Sequence, residues 1–288
     1  MKLSIITPSY QQGPFIERTI QSVLNQQYPD LEYLIFDGGS TDETVQVLKK
    51  YQSSLQWVSE KDNGQADAVN KGILASSGDI IGWLNSDDVY YPGAFQKVID
   101  FFEEHPEVDI VYGLADHIGL DDKAFEEYPT ESWNFERLKD ICFICQPSVF
   151  FRKKVFQEYG LLREDLNYCM DYEYWLRLGQ KGVNFALIKE KIAGSRFYLD
   201  TKTMGARKKV HYEINDMMKE KFGMVPTRWL FNYAHVLLEN KINQQQYPRW
   251  FKLNLTVLSL WASYHWNKAI HQDVKLTIQK WWGRQKMA

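Results

Sequence analysis

Apolar and polar positions alternate in blocks from the first residues of the chain. Leu3 to Thr7 is a β-branched apolar run stopped by Pro8. A helix is then predicted with Pro14 near its first turn and Phe15, Ile16, Ile20, Val23 and Leu24 on one stripe. Tyr33 to Phe36 predicts a second strand ending at Asp37. Gly38-Gly39 turns the chain, and Ser40 with Glu43 has capping-box spacing for a helix carrying Val45, Val47 and Leu48. The same reading gives a strand over 55–59, a helix over 64–74, a strand over 80–84, a helix over 92–104 and a strand over 108–112. Beyond it, 128–139 reads as a loop entering a short helix. The run 143–151 reads as a strand whose Pro147 favours an edge or a bulge. From Asp171, helical spacing places Tyr174, Trp175 and Leu178 on one stripe, with Asp171 near the N-terminus. Aromatic-rich helices are predicted after Thr203.

Strand and helix alternating at this spacing, with strands too apolar to face water, predict an α/β fold. Its central sheet is expected to be mostly parallel and covered by helices on both faces. Ligands bind such sheets at the carboxyl ends of the strands. Here those ends carry Thr7-Pro8-Ser9-Tyr10, Asp37 to Ser40, Glu60 to Asn63, and Asn85-Ser86-Asp87-Asp88, whereas the opposite edge is poorer in such clusters. The stretch GDIIGWLNSDD is the most informative, because two adjacent carboxylates in a turn repel unless a hard cation or strong donors sit beside them.

Composition narrows the choices. At 288 residues the chain has room for one large domain with an appendage. Its net charge of -3 hides an asymmetry: residues 201–288 hold 15 Lys+Arg against 5 Asp+Glu. That tail lacks the dense basic runs of a nucleic-acid binder, so no nucleic-acid partner is expected. Three cysteines form no disulfide framework, and Cys142 and Cys145 lack a second pair for zinc. With no signal peptide and no apolar stretch of membrane-spanning length, the expected location is cytoplasmic.

The runs IITPSYQQGPFIERTIQSVLNQQYPDLEYLIFDGGSTDET, EKDNGQADAVNKGI, GDIIGWLNSDD, CQPSVFFRK and MDYEYWLRL together resemble the inverting family 2 glycosyltransferases of the GT-A fold, over about residues 1–200. The resemblance implies a catalytic domain over 1–203, with a nucleotide-sugar half to about 112 and an acceptor half from 113, followed by a basic helical region over 204–288. It implies that Thr7, Pro8 and Tyr10 cup a nucleotide base and that Asp37 accepts a hydrogen bond from it, as uracil's imide N–H would give. Asp62, Gln65, Lys71, Asn85 and Ser86 fall in the matched segments and are assigned with them to the donor. Asp87 and Asp88 become candidate ligands of a divalent cation, Mn²⁺ or Mg²⁺, and Asp171 the general base. The implied partners are a nucleotide-diphosphate sugar, UDP-linked, and a glycan or lipid-linked acceptor in polysaccharide or glycoconjugate synthesis.

Three positions depart from the family pattern. Asn85 stands where relatives carry an acid, and Val69 where many carry an arginine aimed at the diphosphate. Relatives often follow the base with a His-containing segment near the leaving group, whereas 194–203 here holds no histidine, so Arg196 or Lys202 is expected to face the phosphates. Plainer readings compete with each assignment: Asp37 as a turn former, Asp67 and Lys71 as a surface pair four residues apart, Asp171 and Glu173 as charges suited to a helix N-terminus. At the level of function the competitors are a non-catalytic nucleotide-sugar or glycan-binding relative and a nucleotidyltransferase. The latter would carry a basic Gly-rich loop after the first strand, and 7–13 has no Lys or Arg. The tryptophans among basic residues in 226–288 suit either packing on the chain or a second subunit, or peripheral contact with a membrane.

Overall fold

The computed structural model describes residues 1–198, 201 and 205–283. Lys202 lies outside the described residues. The chain divides into two compact units, one comprising 1–138 and 142–198, the other 139–141 and 199–288.

The first unit is built on a nine-stranded sheet. Its opening strands are β1 (Leu3–Ser9), β2 (Leu31–Asp37), β3 (Gln56–Ser59) and β4 (Ile80–Trp83), joined by helices α1 (Ile16–Leu24), α2 (Thr44–Lys50) and α3 (Gln65–Ala75). They lie in the order β3-β2-β1-β4, all parallel, with Ser9 level with Asp37 and Asp37 level with Ser59. That register follows from strands apolar on both faces: β1 is buried along its whole length, between helices packed from either side. On one of those faces α3 lies so close to the sheet that a Cβ at Gly72 would stand 2.3 Å from the Ile6 side chain. The consequence is that all the polar clusters after β1, β2, β3 and β4 leave the same edge.

The remaining strands are β5 (Val89–Tyr90), β6 (Ile110–Ile118), β7 (Ala124–Glu127), β8 (Val149–Arg152) and β9 (Phe185–Arg196). Here pairing is mixed: β8 runs antiparallel between β4 and β6, β9 runs parallel to β6, and β5 and β7 add antiparallel pairs. Parallel pairing thus dominates the first half and not the second. The predicted strand over 143–151 shrinks to β8, which is central and not an edge. Its proline sits in a short 3₁₀ turn, Gln146–Ser148, ahead of the strand, where a missing N–H costs no ladder bond. The capping box of Ser40 and Glu43 does not form: α2 starts at Thr44 without a side-chain cap, and Ser40 turns to Asp37 instead.

The sheet is flanked by α4 (Ala94–Glu104), whose apolar face carries Phe95, Val98, Ile99 and Phe102, and later by α5 (Phe135–Asp140), α6 (Lys154–Tyr159) and α7 (Met170–Gln180). In α7, Tyr174, Trp175 and Leu178 are fully buried, as their stripe predicts. The second unit contains helices over Arg207–Phe222, Thr227–Val236, Pro248–Asn267 and Gln272–Gly283.

Candidate active site

The loops at the carboxyl edge are stitched to one another. After β1, the backbone N–H groups of Gln11, Gln12 and Gly13 donate to Ser40 Oγ, Thr44 Oγ1 and Asp42 Oδ2 at 2.7, 2.9 and 2.8 Å. Asp37, 2% exposed, accepts from the Ser40 hydroxyl (2.5 Å), the Ser40 N–H (2.8 Å) and the Ser59 hydroxyl (2.6 Å). Asp37 is therefore more than a turn former, since it ties the ends of β2 and β3 together. Ser59 gave no signal in the sequence beyond its place at a strand end. Asp62 caps Gly64 N–H at 2.9 Å and lies against Gly38, where a Cβ would meet its Oδ2 at 2.8 Å. Gly39 takes φ +82°, a conformation open to glycine at little cost.

Of the residues assigned to the base, Thr7 is fully buried with its hydroxyl 3.2 Å from the Tyr33 phenol, and Pro8 is buried beside it. Tyr10 is 61% exposed and is the one ring of this trio able to stack on a ligand. Val69 is wholly buried in α3, so its position cannot present a cation. Lys71 pairs with Asp67 at 3.1 Å and approaches Glu60 at 4.0 Å, and Asp67 is itself buried and accepts the Asn63 N–H at 2.9 Å. Gln65 instead points to the turn after β4.

That turn is centred on Asn85. Its Oδ1 accepts from Gln65 Nε2 (2.8 Å) and Trp83 Nε1 (3.0 Å), and its Nδ2 donates to Gln146 Oε1 (2.9 Å) and Asp88 Oδ2 (3.3 Å). Both lone pairs and both hydrogens of the amide are spent, leaving none for a ribose. Gln146 is oriented in turn by donating to the Trp83 carbonyl at 2.7 Å. Trp83 thus supplies one donor that cannot accept and one acceptor that cannot donate, which fixes both amides. Gln146 stood in the CQPS motif, but nothing local announced that it would face Asn85. Restoring the family's acid, Asn85→Asp, is accordingly expected to harm the protein. It sets an oxygen against Gln146 Oε1 and Asp88 Oδ2, at a cost of ~1–3 kcal/mol. Thermal denaturation should show a lower Tm with no stronger response to Mn²⁺.

The two acids divide their work. Asp88 is 3% exposed and accepts from the Arg196 N–H (2.8 Å) and from Asn85, so it faces inward. Asp87 is half-buried and its Oδ2 accepts from the Tyr198 hydroxyl at 3.2 Å. Burial lifts both carboxyls above the usual carboxylate range, and for Asp88 the neighbouring Asp87 charge adds to the lift. Ser86 is buried, and the Thr19 hydroxyl of α1 sits 2.9 and 2.8 Å from the carbonyls of Ser86 and Asp88. Among the described residues no group of three or more acidic, His or Cys side chains forms a ready cation cage. The donor set still fits a cation held by one protein carboxylate. Asp87 offers it, being half-buried where Asp88 is turned inward, with substrate oxygens and water completing the shell.

Arg196 does not face a phosphate. Its side chain is fully buried, Nε donates to the Asp87 carbonyl (2.7 Å), Nη1 to the Gly119 carbonyl (2.6 Å) and Nη2 to Asp122, and the guanidinium lies 5.0 Å from the Phe15 ring centre. It is the clip that holds the acidic turn onto β9 and α1. The Tyr198 ring packs on Phe15 at 5.1 Å, placing its hydroxyl at Asp87; no motif announced it.

Asp171 lies in the first turn of α7, half-buried, with Oδ1 accepting from the Tyr172 N–H at 2.7 Å. Glu173 is buried against Arg177 at 3.3 Å and belongs to the packing. The three cysteines are free thiols. Burial pushes the Cys145 thiol up, and the charges of both Asp88 and Asp171 push it further. Cys145 leads into the 3₁₀ turn whose Gln146 is bound to Trp83 and Asn85.

A twisted sheet with acidic loops at one edge is the GT-A arrangement, and solved structures share it. The fold is similar to that of S. aureus TarS in complex with UDP-GlcNAc (TM-score 0.65, 15% identity, 99% of this chain and 92% of that chain). It is also similar to the mannosyltransferase PcManGT of Pyrobaculum calidifontis in complex with GDP-Man and Mn²⁺ (TM-score 0.57, 13% identity, 97% and 79%). The sequence profile described as Glycosyl transferase family 2 matches residues 4–160, and the chain belongs to that family. An uncharacterized glycosyltransferase of Rickettsia prowazekii is 28% identical over 190 residues, 61% of this chain and 58% of that protein. The chondroitin synthase of Escherichia coli is 28% identical over 184 residues, 62% and 27%. The chain spans less than two thirds of the length of these two relatives.

Proposed function

We propose that the chain transfers a sugar from a nucleotide-diphosphate sugar, UDP-linked, to an acceptor hydroxyl with inversion at the anomeric carbon, in the assembly of a polysaccharide or glycoconjugate. The observation that carries this reading is the acidic turn at the carboxyl edge of the sheet, where half-buried Asp87 accepts from the Tyr198 hydroxyl while Asp88 is turned inward onto the Arg196 N–H. In this reading Tyr10 stacks on the base, and Asp37 keeps the loops beneath it in place with one lone pair left for an imide N–H. Asp171 accepts the proton of the attacking hydroxyl, a contribution of ~10²- to 10⁴-fold. One displacement inverts the centre, so no covalent intermediate is needed. Asp87 would hold a divalent cation, which supplies charge neutralisation at the departing diphosphate. UDP as carrier is favoured by the fit of a carboxylate to uracil and by the UDP-GlcNAc complex of the TarS neighbour.

A thermal-shift panel of UDP-, GDP- and dTDP-sugars with and without Mn²⁺ tests the donor. At 100-fold excess over Kd a bound donor adds ~2.7 kcal/mol, about 4–5 °C for a chain of this size. The UDP series should stabilise, and more with Mn²⁺; stabilisation by another series alone removes the UDP assignment. Binding with no release of nucleoside diphosphate would favour the non-catalytic alternative. Metal binding needs ionised Asp87. Since burial raises its pKa, the Mn²⁺ increment should fade on acidification from a higher pH than an ordinary aspartate near 3.9 would require. An increment that persists to that pH places the cation elsewhere.

A further inference from the structure

The helix Pro248–Asn267 has two apolar faces, and the second unit uses only one of them. Phe251, Leu255, Ala262 and Trp266 are buried, Phe251 and Leu255 against Ala234 and Leu238, with Trp266 Nε1 donating to Asp216 at 2.7 Å. On the other side Trp250, Leu253, Val257, Trp261 and Tyr264 are exposed, the two tryptophans by 57% and 47%. Their spacings of three, four, four and three residues keep them within about 80° of the helix circumference. Five large apolar side chains in one exposed file are not scattered surface residues but a patch.

Charge selects the occupant. No Asp or Glu occurs in this helix; Arg249 is exposed in its first turn and Lys268 follows its last residue, while Lys252 turns back onto the Trp281 carbonyl and the Trp282 ring. Residues 201–288 hold 15 basic against 5 acidic side chains, so a second copy brought face to face would meet like charge, whereas an anionic bilayer meets opposite charge. Trp and Tyr rings beside Leu and Val on one face suit a helix lying in a bilayer interface, where amphipathic rings sit at headgroup level. Among the described residues no helix is long and apolar enough to cross a membrane. We infer that the Trp250–Tyr264 face lies on an anionic lipid surface, its aromatic rings at headgroup level and the basic side chains on the lipid phosphates. This inference is independent of the transfer reaction.

The test is co-sedimentation of the full chain with vesicles of phosphatidylcholine, with or without about 30% phosphatidylglycerol. Each basic side chain near the surface contributes roughly fivefold, so at least about tenfold more protein should sediment with the anionic vesicles, and added salt should release it. The double variant W250E/W261E should lose roughly tenfold of that binding. It should keep the wild-type circular dichroism and donor-induced thermal shift, because Trp250 is exposed and Trp261, though stacked on His265 at 5.1 Å, keeps 47% of its surface in solvent. Wild-type tryptophan fluorescence should shift to the blue on adding anionic vesicles. No sedimentation with either vesicle, or equal sedimentation of the variant, overturns the inference. So does lipid-free self-association in sedimentation velocity that the double variant abolishes, which would give the face to a second copy.

Discussion

Asp171→Asn is expected to lower donor turnover, read as release of nucleoside diphosphate, by ~10²- to 10⁴-fold while leaving the donor-induced thermal shift intact. The amide keeps the size of the side chain and can still accept the Tyr172 N–H through its oxygen, so the first turn of α7 should survive. What it loses is basicity toward a hydroxyl proton. A merely structural role for Asp171 at the helix N-terminus predicts the reverse pattern, a lower Tm with turnover reduced only in proportion. Turnover unchanged in the variant would assign the base to another residue.

The second large effect is expected from Arg196→Met. Its buried guanidinium holds two backbone carbonyls and the carboxylate of Asp122, and methionine leaves all of them without that donor. Breaking a buried charged cluster in this way costs about 3 kcal/mol, the lower end of the usual range because Asp122 reaches solvent. Tm should fall by roughly 5 °C. Since the Asp87 carbonyl is one of the released groups, the Mn²⁺-dependent increment with donor should also disappear. A variant with lowered Tm but an undiminished Mn²⁺ increment would show that Arg196 supports the fold without ordering the acidic turn.

The first half of the sheet was legible because β1, β2 and β4 are continuous apolar runs that end abruptly in polar residues, and parallel strands put such ends on one edge. The second half was not. β9 carries Lys189, Glu190 and Lys191 in its middle, which breaks the strand pattern, and its long pairing with β6 depends on residues some seventy positions away. Within the site, residue types were legible and orientations were not. Two adjacent aspartates could be recognised as a site, but the inward turn of Asp88 is decided by the Arg196 N–H, and the saturation of Asn85 by Gln65, Trp83 and Gln146, all remote in sequence except Trp83. Arg196 shows the same limit. A cation near a diphosphate site suggests a phosphate ligand, and only packing on Phe15 reveals a clip.

The most direct test is a crystal of the protein with a UDP-sugar and Mn²⁺, located by the metal's anomalous scattering. The account predicts one Mn²⁺ peak about 2.1 Å from an Asp87 carboxylate oxygen. It also predicts the diphosphate on that metal, and Asp171 on the face of the sugar away from the leaving group. A metal and diphosphate bound apart from Asp87, or an Asp171 carboxylate pointing away from the anomeric carbon, would contradict it.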